Sequence, residues 1–496
     1  MEVEALELKA QPDDKSDQTR LDLIVLAIFV LGIAFLFGTN PKIFGDGDVS
    51  WHIAAGQWMI EHRQIPTTDP FSYTAFGKPW IAHEWLSEVV MAATFAIAGF
   101  GGIAILVALA LSVTFLIIGL RLRRWMPPVE TCATLMVVAL VLYPFTLARP
   151  MTLLWPMLAL WTESLLRARA RGSLPSWWLV PLMTLWINLH ASFALGILLA
   201  GAFGLEALID SKERVRTFVH WALFGIALVG ASLLNPHGLT GLLLPLGAFG
   251  SSTITLIREF NPTDFTTMPF FELAIMLMIG AGLWRGARLP LLRLLVILGM
   301  LHLALAHIRH QALFAIIAAL VAAPGISRRW IEGKPERNDL LTDLGVKRGH
   351  KWLAICVATV ALLTVSAARL VFPVSLPESD VNPVTAFNHI PPELRKQPVL
   401  NEYSLGGPLI LRGIKVFMDG RTDVYGDAHF LNYVAISHGD PNAFALADRR
   451  WHFCWSIFPP GSMLALRHLN RSREWRRIYA DKYAVIHVRR DCQPQG

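Results

Sequence analysis

The sequence predicts an α-helical polytopic membrane protein with about 11 to 13 spans and a small mixed α/β domain at its C-terminal end. Of the 496 residues, 54% are hydrophobic and 16% are charged, whereas a soluble protein carries about 25% charged residues. Apolar runs follow one another between residues 21 and 372, although several are shorter than the roughly 20 residues that a bilayer requires. Beyond residue 372, proline-rich turns and short strand-like runs replace them.

Clusters of Lys and Arg predict the orientation of the spans. The number of apolar runs between neighbouring clusters is even, so all clusters can lie on one face, and their positive charge marks that face as cytoplasmic. The net charge of +7 therefore reflects membrane topology and gives no indication of a nucleic-acid partner. The clusters are RLRR (121–124), RARAR (167–171), SKERVR (211–216), WRGAR (284–288) and the segment 327–351.

This orientation divides the chain into three parts. Residues 1–20 are predicted to form a cytoplasmic N-terminal tail, with the N-terminus inside. Residues 21–372 form the transmembrane domain, which includes a long outer loop over residues 40–85. Residues 373–496 form an extracytoplasmic α/β domain.

One apolar run, residues 86–120, is too long for a simple span and contains GFGG (99–102) in its middle. The predicted orientation needs one net crossing there, which a re-entrant or interfacial helix followed by a true span provides. Two full spans would instead place RLRR (121–124) outside, against the distribution of positive charge.

The C-terminal domain is predicted to combine short strands with a helix. HFCWSIF (452–458) and KYAVIHV (482–488) are typical of strands, and the run 463–475 is typical of a helix. Cys454 and Cys492 could pair if this domain is extracytoplasmic, and the sequence alone leaves that pairing open.

Within the same domain, DGRTD (419–423) alternates acidic and basic residues. It could hold an Arg between two acids, but a simple turn between strands explains the pattern and is the favoured interpretation.

The stretch FGDGDVSWHIAAG (44–56) places two acids directly after the first apolar run. Asp48 is predicted to be the N-cap of a helix, and a capping residue is held rigidly enough to act as a catalytic base. Asp48 and His52 have i, i+4 spacing and share one helix face. Together with Asp46 they could bind a divalent metal, Mg²⁺ or Mn²⁺, or Asp48 and His52 could form an ordinary hydrogen bond.

The rest of the outer loop adds further polar and aromatic residues. PTTDPFSYT (66–74) is typical of turns and extended chain. HEW (83–85) presents His83 and Glu84 just before the chain enters the membrane again. The loop also carries four tryptophans, which suit either an interfacial aromatic belt or stacking against a sugar or lipid carrier: Trp51, Trp58, Trp80 and Trp85.

Cationic and imidazole side chains recur at the outer ends of the predicted spans. Arg binds phosphate through its planar guanidinium, and a lipid-phosphate carrier offers a phosphate at this face of the membrane. Each residue alone could instead pair with a helix C-terminus or a lipid headgroup. The residues are Arg149, His190, His237, Arg258, Arg309 and His310.

Several stretches of the predicted outer face share one resemblance: DGDVSWHIAAG (46–56), PTTDPFSYT (66–74), HEWL (83–86), LARP (147–150), WINLHASFALG (186–196), NPHGL (235–239) and VFMDGRTDVYG (416–426). They resemble bacterial polytopic proteins related to the GT-C class of integral-membrane glycosyltransferases. The resemblance implies a GT-C-like fold in the inner membrane of a bacterium, a sugar donor on polyprenyl phosphate, and an acid of the first outer loop as base. Members of the class often have adjacent acids in this loop, whereas here Gly47 separates Asp46 from Asp48.

The predicted activity is inverting glycosyl transfer to a glycan, lipid or protein on the outer face of the bilayer. Asp48 would accept the proton of the acceptor hydroxyl, while Asp46 or Glu84 would orient the acceptor. The residues predicted to hold the donor phosphate are Arg149, Arg309 and His310, and those predicted to bind other parts of the substrates are His52, His83, Trp51, His190 and Arg258.

Two other functions fit the same topology. A flippase or transporter for lipid-linked glycans would need polar residues inside the spans, and few acids are present there, near span ends: Glu163, Glu206 and Glu272. A non-catalytic membrane assembly protein would use the C-terminal domain as a docking module and would tolerate single substitutions in the outer loop.

Overall fold

The computed structural model describes residues 11–247, 256–332 and 378–492, together with Leu363, Ser366 and Leu376. The predicted last span, 352–372, lies outside the described residues apart from two of these single positions. The end of the last basic cluster, KRGHK, also lies outside them.

The first part of the chain is a bundle of helices with a large apolar core between them. Leu, Ala, Ile and Val dominate these segments, and helices satisfy every backbone group inside a bilayer. In chain order the helices are α1 (Gln11–Thr39), α2 (Asp48–His62), α3 (Trp85–Leu122), α4 (Pro128–Leu142), α5 (Pro150–Ala170), α6 (Leu179–Leu189), α7 (Phe193–Asp210), α8 (Arg214–Ser232), α9 (Gly238–Gly247), α10 (Pro269–Arg285), α11 (Leu291–Ala306), α12 (Gln311–Val321), α13 (Ala323–Ile326) and α14 (Arg328–Ile331).

The helical part is that of a membrane protein, in agreement with the composition. Within the described residues, four segments are long and apolar enough to cross a bilayer: Trp85–Leu122, Pro128–Phe145, Phe193–Asp210 and Arg214–Ser232. Further apolar helices are shorter than that. Large apolar side chains also point outward, including Ile97, Leu283 and Trp284 at 80% exposure or more, as a lipid-facing surface requires. The count of about 11 to 13 spans stays a prediction.

Helix α3 is divided by a break at Ala98 and Gly99, where the backbone leaves the helical region. Gly99 has a φ of 56°, which lies in the left-handed region that glycine adopts without a steric cost. The part before the break is shorter than the roughly 20 residues of a span, and the part after it is longer. The break lies at the start of the GFGG stretch, and the single net crossing of this segment stays a prediction.

The C-terminal domain is a small sheet with helices around it, as predicted. The strands have the order β1–β2–β4–β3, with β1 and β2 parallel and the other pairs antiparallel. The strands are β1 (Val399–Asn401), β2 (Trp455–Phe458), β3 (Trp475–Ala480) and β4 (Val485–Arg489), and the helices are α15 (Val384–Asn388), α16 (Gly406–Leu411), α17 (Thr422–Tyr425), α18 (Asp427–Ser437), α19 (Pro441–Trp451) and α20 (Met463–Arg471).

The strands β2 and β4 and helix α20 lie where the sequence predicted them. Strand β3 was not predicted as a strand, because its start was assigned to the end of the helix. It is an edge strand whose Arg476 and Arg477 are exposed, so it lacks the apolar character of an inner strand. Cys454 and Cys492, left open by the sequence, form a disulfide.

The predicted outer loop, residues 40–85, shares the hydrophobic core of the C-terminal domain. Trp51, Met59 and Trp80 of the loop are buried in the same cluster as the apolar side chains of the sheet. Ser72 forms a parallel bridge with Val416. The predicted outer loop and the C-terminal domain therefore form one folded unit, which we call the outer unit.

Candidate active site

The N-terminus of α2 is organised by Asp46. Its carboxylate Oδ1 accepts a hydrogen bond from the N–H of Asp48, with a distance of 3.0 Å. Asp48 is the first residue of the helix and Gly47 occupies the cap position, so the prediction that Asp48 is the N-cap was wrong by one residue. Both carboxylates nevertheless lie at the positive end of the helix dipole.

Arg149 joins these two acids to a third. Its guanidinium contacts the carboxylate of Asp46, lies 2.9 Å from Asp48 Oδ2 and lies 2.5 Å from Glu259 Oε1. The turn that carries Arg149 is fixed to the short 3₁₀ helix Pro41–Phe44, since the N–H of Ala148 donates to the carbonyl of Ile43 at 2.8 Å. One cation therefore faces three carboxylates.

The C-terminal domain packs against Asp48 as well. A Cβ added at Gly420 would lie 2.1 Å from Asp48 Oδ1 and 3.0 Å from Trp51 Nε1, so only glycine permits this close approach. The hydroxyl of Tyr403 lies 3.4 Å from the carbonyl of Gly420. Burial, followed by the charge of Asp48, raises the pKa of Tyr403 well above its usual value, so this phenol stays a neutral donor.

A second group of side chains surrounds His52, on the side of α2 that faces α3. His52 Nδ1 lies 3.3 Å from Glu88 Oε1, and His52 Nε2 lies 3.9 Å from Glu84 Oε2. His190 Nε2 lies 3.2 Å from Glu84 Oε1. The prediction that His52 pairs with Asp48 was therefore wrong, because the partner of His52 is Glu88.

The predicted metal ligand set of Asp46, Asp48 and His52 is not assembled. Among the described residues, the ligand atoms that lie within 4.8 Å of one another belong to His52, Glu84 and Glu88. The two aspartates instead contact Arg149. Burial lowers the pKa of His52 to about 4, so its imidazole is neutral and keeps a nitrogen lone pair at neutral pH.

The close approach of α2 to α3 brings the His52 group together. A Cβ added at Gly56 would lie 2.0 Å from the carbonyl oxygen of Glu88. Gly56 lies one helical turn after His52, so contact at this point presses His52 against Glu84 and Glu88.

The variant Gly56→Ala should force α2 away from α3 and lower the stability of the protein by about 1–3 kcal/mol. Gly201→Ala is the matched control, because its Cβ would meet nothing within 4 Å and alanine is the better helix former. Thermal unfolding in detergent compares the two variants. Equal melting temperatures would show that the α2–α3 contact is not tight.

His190 reaches Glu84 because the loop that carries it is tied to the start of α3. Trp85 Nε1 donates to Asn188 Oδ1 at 2.8 Å, and Ser87 Oγ donates to the carbonyl of Leu189 at 2.9 Å. Burial lowers the pKa of His190 well below its usual value, so this side chain is also neutral.

Arg309 interacts electrostatically with members of both groups, and no carboxylate of the described residues lies within salt-bridge distance of it. Its guanidinium stacks on the ring of Phe260 at 4.5 Å. It interacts electrostatically with Glu259, Glu84 and Arg149. Its hydrogen-bond donors are therefore available to an anionic ligand.

Three further residues predicted to bind substrate lie at the margin of the site or away from it. Arg258 is exposed and acts electrostatically on Asp264. His310 places Nδ1 3.3 Å from the carbonyl of Leu303 and its ring against His307. His83 is about one-third exposed and approaches Glu84 at 3.7 Å.

Trp51 was predicted to stack against a sugar or to belong to an aromatic belt. Its ring instead lies on that of His52, with centroids 3.6 Å apart, and it is 8% exposed beneath the C-terminal domain. The side chain therefore packs the interface of the outer unit and leaves no face free for stacking.

A buried ion pair connects the outer loop to DGRTD. Arg421 Nη1 lies 2.7 Å from Asp69 Oδ1, and Arg421 Nη2 lies 2.6 Å from Asp419 Oδ2. The favoured interpretation of DGRTD as a simple turn was therefore wrong. An Arg is held between two acids, of which one comes from the loop and the other from the motif itself.

Sequence reasoning overlooked three residues of the site: Glu88, Glu259 and Tyr403. Glu88 had a usable signal, because it is an acid inside an apolar run, and such residues are rare unless they have a role. Glu259 follows Arg258 directly, and only the cation was singled out. Tyr403 carried no signal, since its position depends on how the C-terminal domain packs.

Comparison with known proteins gives a likeness in fold. Neither a protein-family profile nor a curated protein matches this sequence. The oligosaccharyltransferase AglB from Archaeoglobus fulgidus, solved with an inhibitory peptide and a dolichol-phosphate, aligns with a TM-score of 0.52 and 11% identity over 88% of this chain and 69% of its own. A crystal structure of an Archaeoglobus fulgidus oligosaccharyltransferase in the apo form gives the same TM-score and identity, over 89% of this chain and 69% of its own.

The fold of this chain is therefore similar to that of these oligosaccharyltransferases. At 11% identity the likeness concerns the fold alone.

Proposed function

We propose that this chain is an integral-membrane inverting glycosyltransferase, which moves a sugar from polyprenyl phosphate to a hydroxyl group on the outer face of a bacterial inner membrane. The observation that carries the proposal is that Arg149 joins Asp48, a carboxylate with a raised pKa, to Glu259, and that Glu259 also acts electrostatically on Arg309. The acceptor is a glycan, a lipid or a protein. The disulfide of the C-terminal domain supports the outer location, since disulfides persist in oxidising compartments.

Asp48 is the base in this proposal. Burial, followed by the charge of Glu259, raises the pKa of Asp48 to about 7, even though Arg149 lies beside it. A carboxylate of this pKa is basic enough to take a proton from a hydroxyl group that attacks, and at neutral pH about half of it is ionised. Arg149 positions Asp48 and Asp46 and does not bind the donor, because its guanidinium already contacts carboxylates.

Arg309 holds the phosphate of the donor. It lies two residues before the apolar helix α12, so a phosphate bound there leaves its lipid chain beside the membrane helices. A guanidinium that stacks on an aromatic ring and makes no hydrogen bond to the described residues suits bidentate contact with phosphate.

The transfer step conserves atoms and charge. The acceptor oxygen attacks the anomeric carbon and forms the new C–O bond, while its proton passes to Asp48. The bond between the anomeric carbon and the phosphate oxygen breaks on the opposite face, which inverts the configuration. Polyprenyl phosphate leaves with the electron pair, and Arg309 stabilises its charge.

The direct test uses the purified chain in liposomes that contain polyprenyl phosphate linked to radiolabelled sugars. Transfer predicts loss of label from the lipid and release of polyprenyl phosphate when membrane glycans, lipids or periplasmic proteins are added as acceptors. If labelled lipid crosses the bilayer without cleavage, the chain is a flippase and the proposal fails.

The pH dependence of transfer should report the ionisation of Asp48. Because the base must be deprotonated, kcat/KM should rise about tenfold per pH unit below pH 7 and level off above it. Glu259→Gln removes a charge that raises the pKa of Asp48, so the rising limb should move to lower pH. The charges of Asp419 and Glu84 also act on Asp48 and stay in place. If the rising limb of the kcat/KM profile does not move in this variant, the group that titrates is not Asp48.

A further inference from the structure

The His52 group has the composition of a metal site that lies apart from the proposed base. One imidazole nitrogen and two carboxylate oxygens, from His52, Glu84 and Glu88, lie within 4.8 Å of one another. The three side chains come from α2 and from the start of α3, two elements that touch at Gly56. Rigid elements of this kind hold ligands at fixed positions.

Glu88 provides an independent indication of a missing ligand. Its side chain is 1% exposed, and its Oε2 is buried without a hydrogen-bond partner in the described part of the chain. The other oxygen, Oε1, faces His52. A buried carboxylate oxygen without a partner is unfavourable, and natural proteins satisfy such atoms by protonation, water or a cation.

The three ligand atoms can coordinate a single ion after small movements of their side chains. Ligand atoms at about 2.1 Å from one ion are at most about 4.2 Å apart, so the observed limit of 4.8 Å closes with shifts of roughly 0.6 Å or less. Glu side chains have enough freedom for such shifts.

A neighbouring histidine orients one of the ligands. The N–H of Ser192 donates to His190 Nδ1 at 2.9 Å, so Nδ1 is an acceptor and the ring proton is on Nε2. Nε2 then donates to Glu84 Oε1 at 3.2 Å. Hydrogen bonds of this kind fix the direction of a carboxylate ligand and increase metal affinity.

We propose that His52, Glu84 and Glu88 bind one divalent transition metal ion, Mn²⁺ or Zn²⁺, between α2 and α3. The imidazole ligand favours these ions over Mg²⁺ and Ca²⁺, which prefer oxygen ligands alone. The site excludes Asp48 and Arg309 and does not depend on the proposed transferase activity. Its ion fixes α2 against α3 and thereby positions Asp48, which lies one turn before His52 on the same helix.

Metal binding can be tested on the full chain without any substrate. The protein is purified in detergent, treated with EDTA, desalted and titrated with Mn²⁺ alone, and bound Mn²⁺ is measured by electron paramagnetic resonance. We expect one Mn²⁺ per chain, with electron spin echo modulation from one imidazole nitrogen, and little displacement by equimolar Mg²⁺. Wild-type protein that binds less than a tenth of an equivalent, or that lacks the nitrogen signal, overturns the proposal.

Two variants distinguish this site from the acids around Arg149. Glu88→Gln keeps the shape of the side chain and should weaken Mn²⁺ binding at least tenfold, whereas Glu259→Gln removes an acid of the other group and should leave binding unchanged. His52→Gln should remove the nitrogen signal. If Glu259→Gln abolishes Mn²⁺ binding and Glu88→Gln does not, the metal is bound by the acids around Arg149 and the proposal is wrong.

Discussion

Replacement of Asp48 by Asn should lower the rate of sugar transfer by a factor of about 10² to 10⁴ while the protein stays folded. Asn has nearly the same shape as Asp but cannot accept the proton of the acceptor hydroxyl. The loss should appear in kcat, because proton transfer occurs in the transition state and contributes little to ground-state binding.

Stability should change in the opposite direction from activity. Because the folded protein raises the pKa of Asp48 from 3.8 to about 7, the stabilising effect of its neutral form is present at low pH and is lost as the pH rises towards 7. Asn is neutral at every pH. The variant should therefore unfold at the same temperature as the wild type or a higher one when both are measured at pH 8.

Asp46→Asn is the matched control for this experiment. Asp46 accepts a hydrogen bond from the N–H of Asp48 and contacts Arg149. The substitution therefore disturbs the position of Asp48 but retains its carboxylate. We expect a smaller decrease in kcat than for Asp48→Asn, measured as donor consumed at saturating lipid at pH 8. Full activity in a folded Asp48→Asn protein would show that another group takes the proton.

The sequence was sufficient for features that depend on composition and local pattern. The scarcity of charge indicated membrane helices, and GFGG (99–102) indicated the break that divides α3. The strand-like runs around Cys454 and before Cys492 became β2 and β4. In each case a short stretch contains the physical cause, whether apolar length, a glycine backbone or a short run of apolar and aromatic side chains.

The choice of partners within the site could not be predicted in the same way. His52 has Asp48 on its own helix face, yet it pairs with Glu88, because the contact at Gly56 brings α3 against α2. Asp48 in turn pairs with Arg149 from a separate turn. Helical spacing shows which side chains share a face, but the packing of other elements decides which of them meet.

The clearest case is the pair of Asp69 and Arg421, which are 352 residues apart. Replacement of Arg421 by Met should destabilise the outer unit by about 3–5 kcal/mol, since it leaves two buried carboxylates without a counter-charge. Arg421 is 2% exposed, and Asp69 and Asp419 are 1% and 0% exposed. The guanidinium also lies 4.8 Å from the ring of Trp80 and 5.0 Å from that of Phe71, so the substitution removes aromatic contacts as well.

Arg216→Met is the matched control for Arg421→Met. Arg216 forms an ion pair with Glu213 at 3.1 Å, and both side chains are about 70% exposed, so its loss should change stability by no more than about 0.5 kcal/mol. Thermal unfolding followed by tryptophan fluorescence, together with protease sensitivity of the C-terminal domain, measures both variants. Identical unfolding of the two would mean that the buried ion pair does not hold the domain to the loop.

A triple variant separates the cost of unpaired charge from the loss of packing. Asp69→Asn and Asp419→Asn, added to Arg421→Met, remove the two carboxylates that the single variant leaves uncompensated. Stability should then recover in part, because amides cost less to bury than charges. Any stability that is still missing relative to the wild type measures the lost hydrogen bonds, including the one from Tyr425 to Asp419 Oδ2 at 2.6 Å. If the triple variant is less stable than Arg421→Met, packing and hydrogen bonds outweigh charge in holding the C-terminal domain over Asp48.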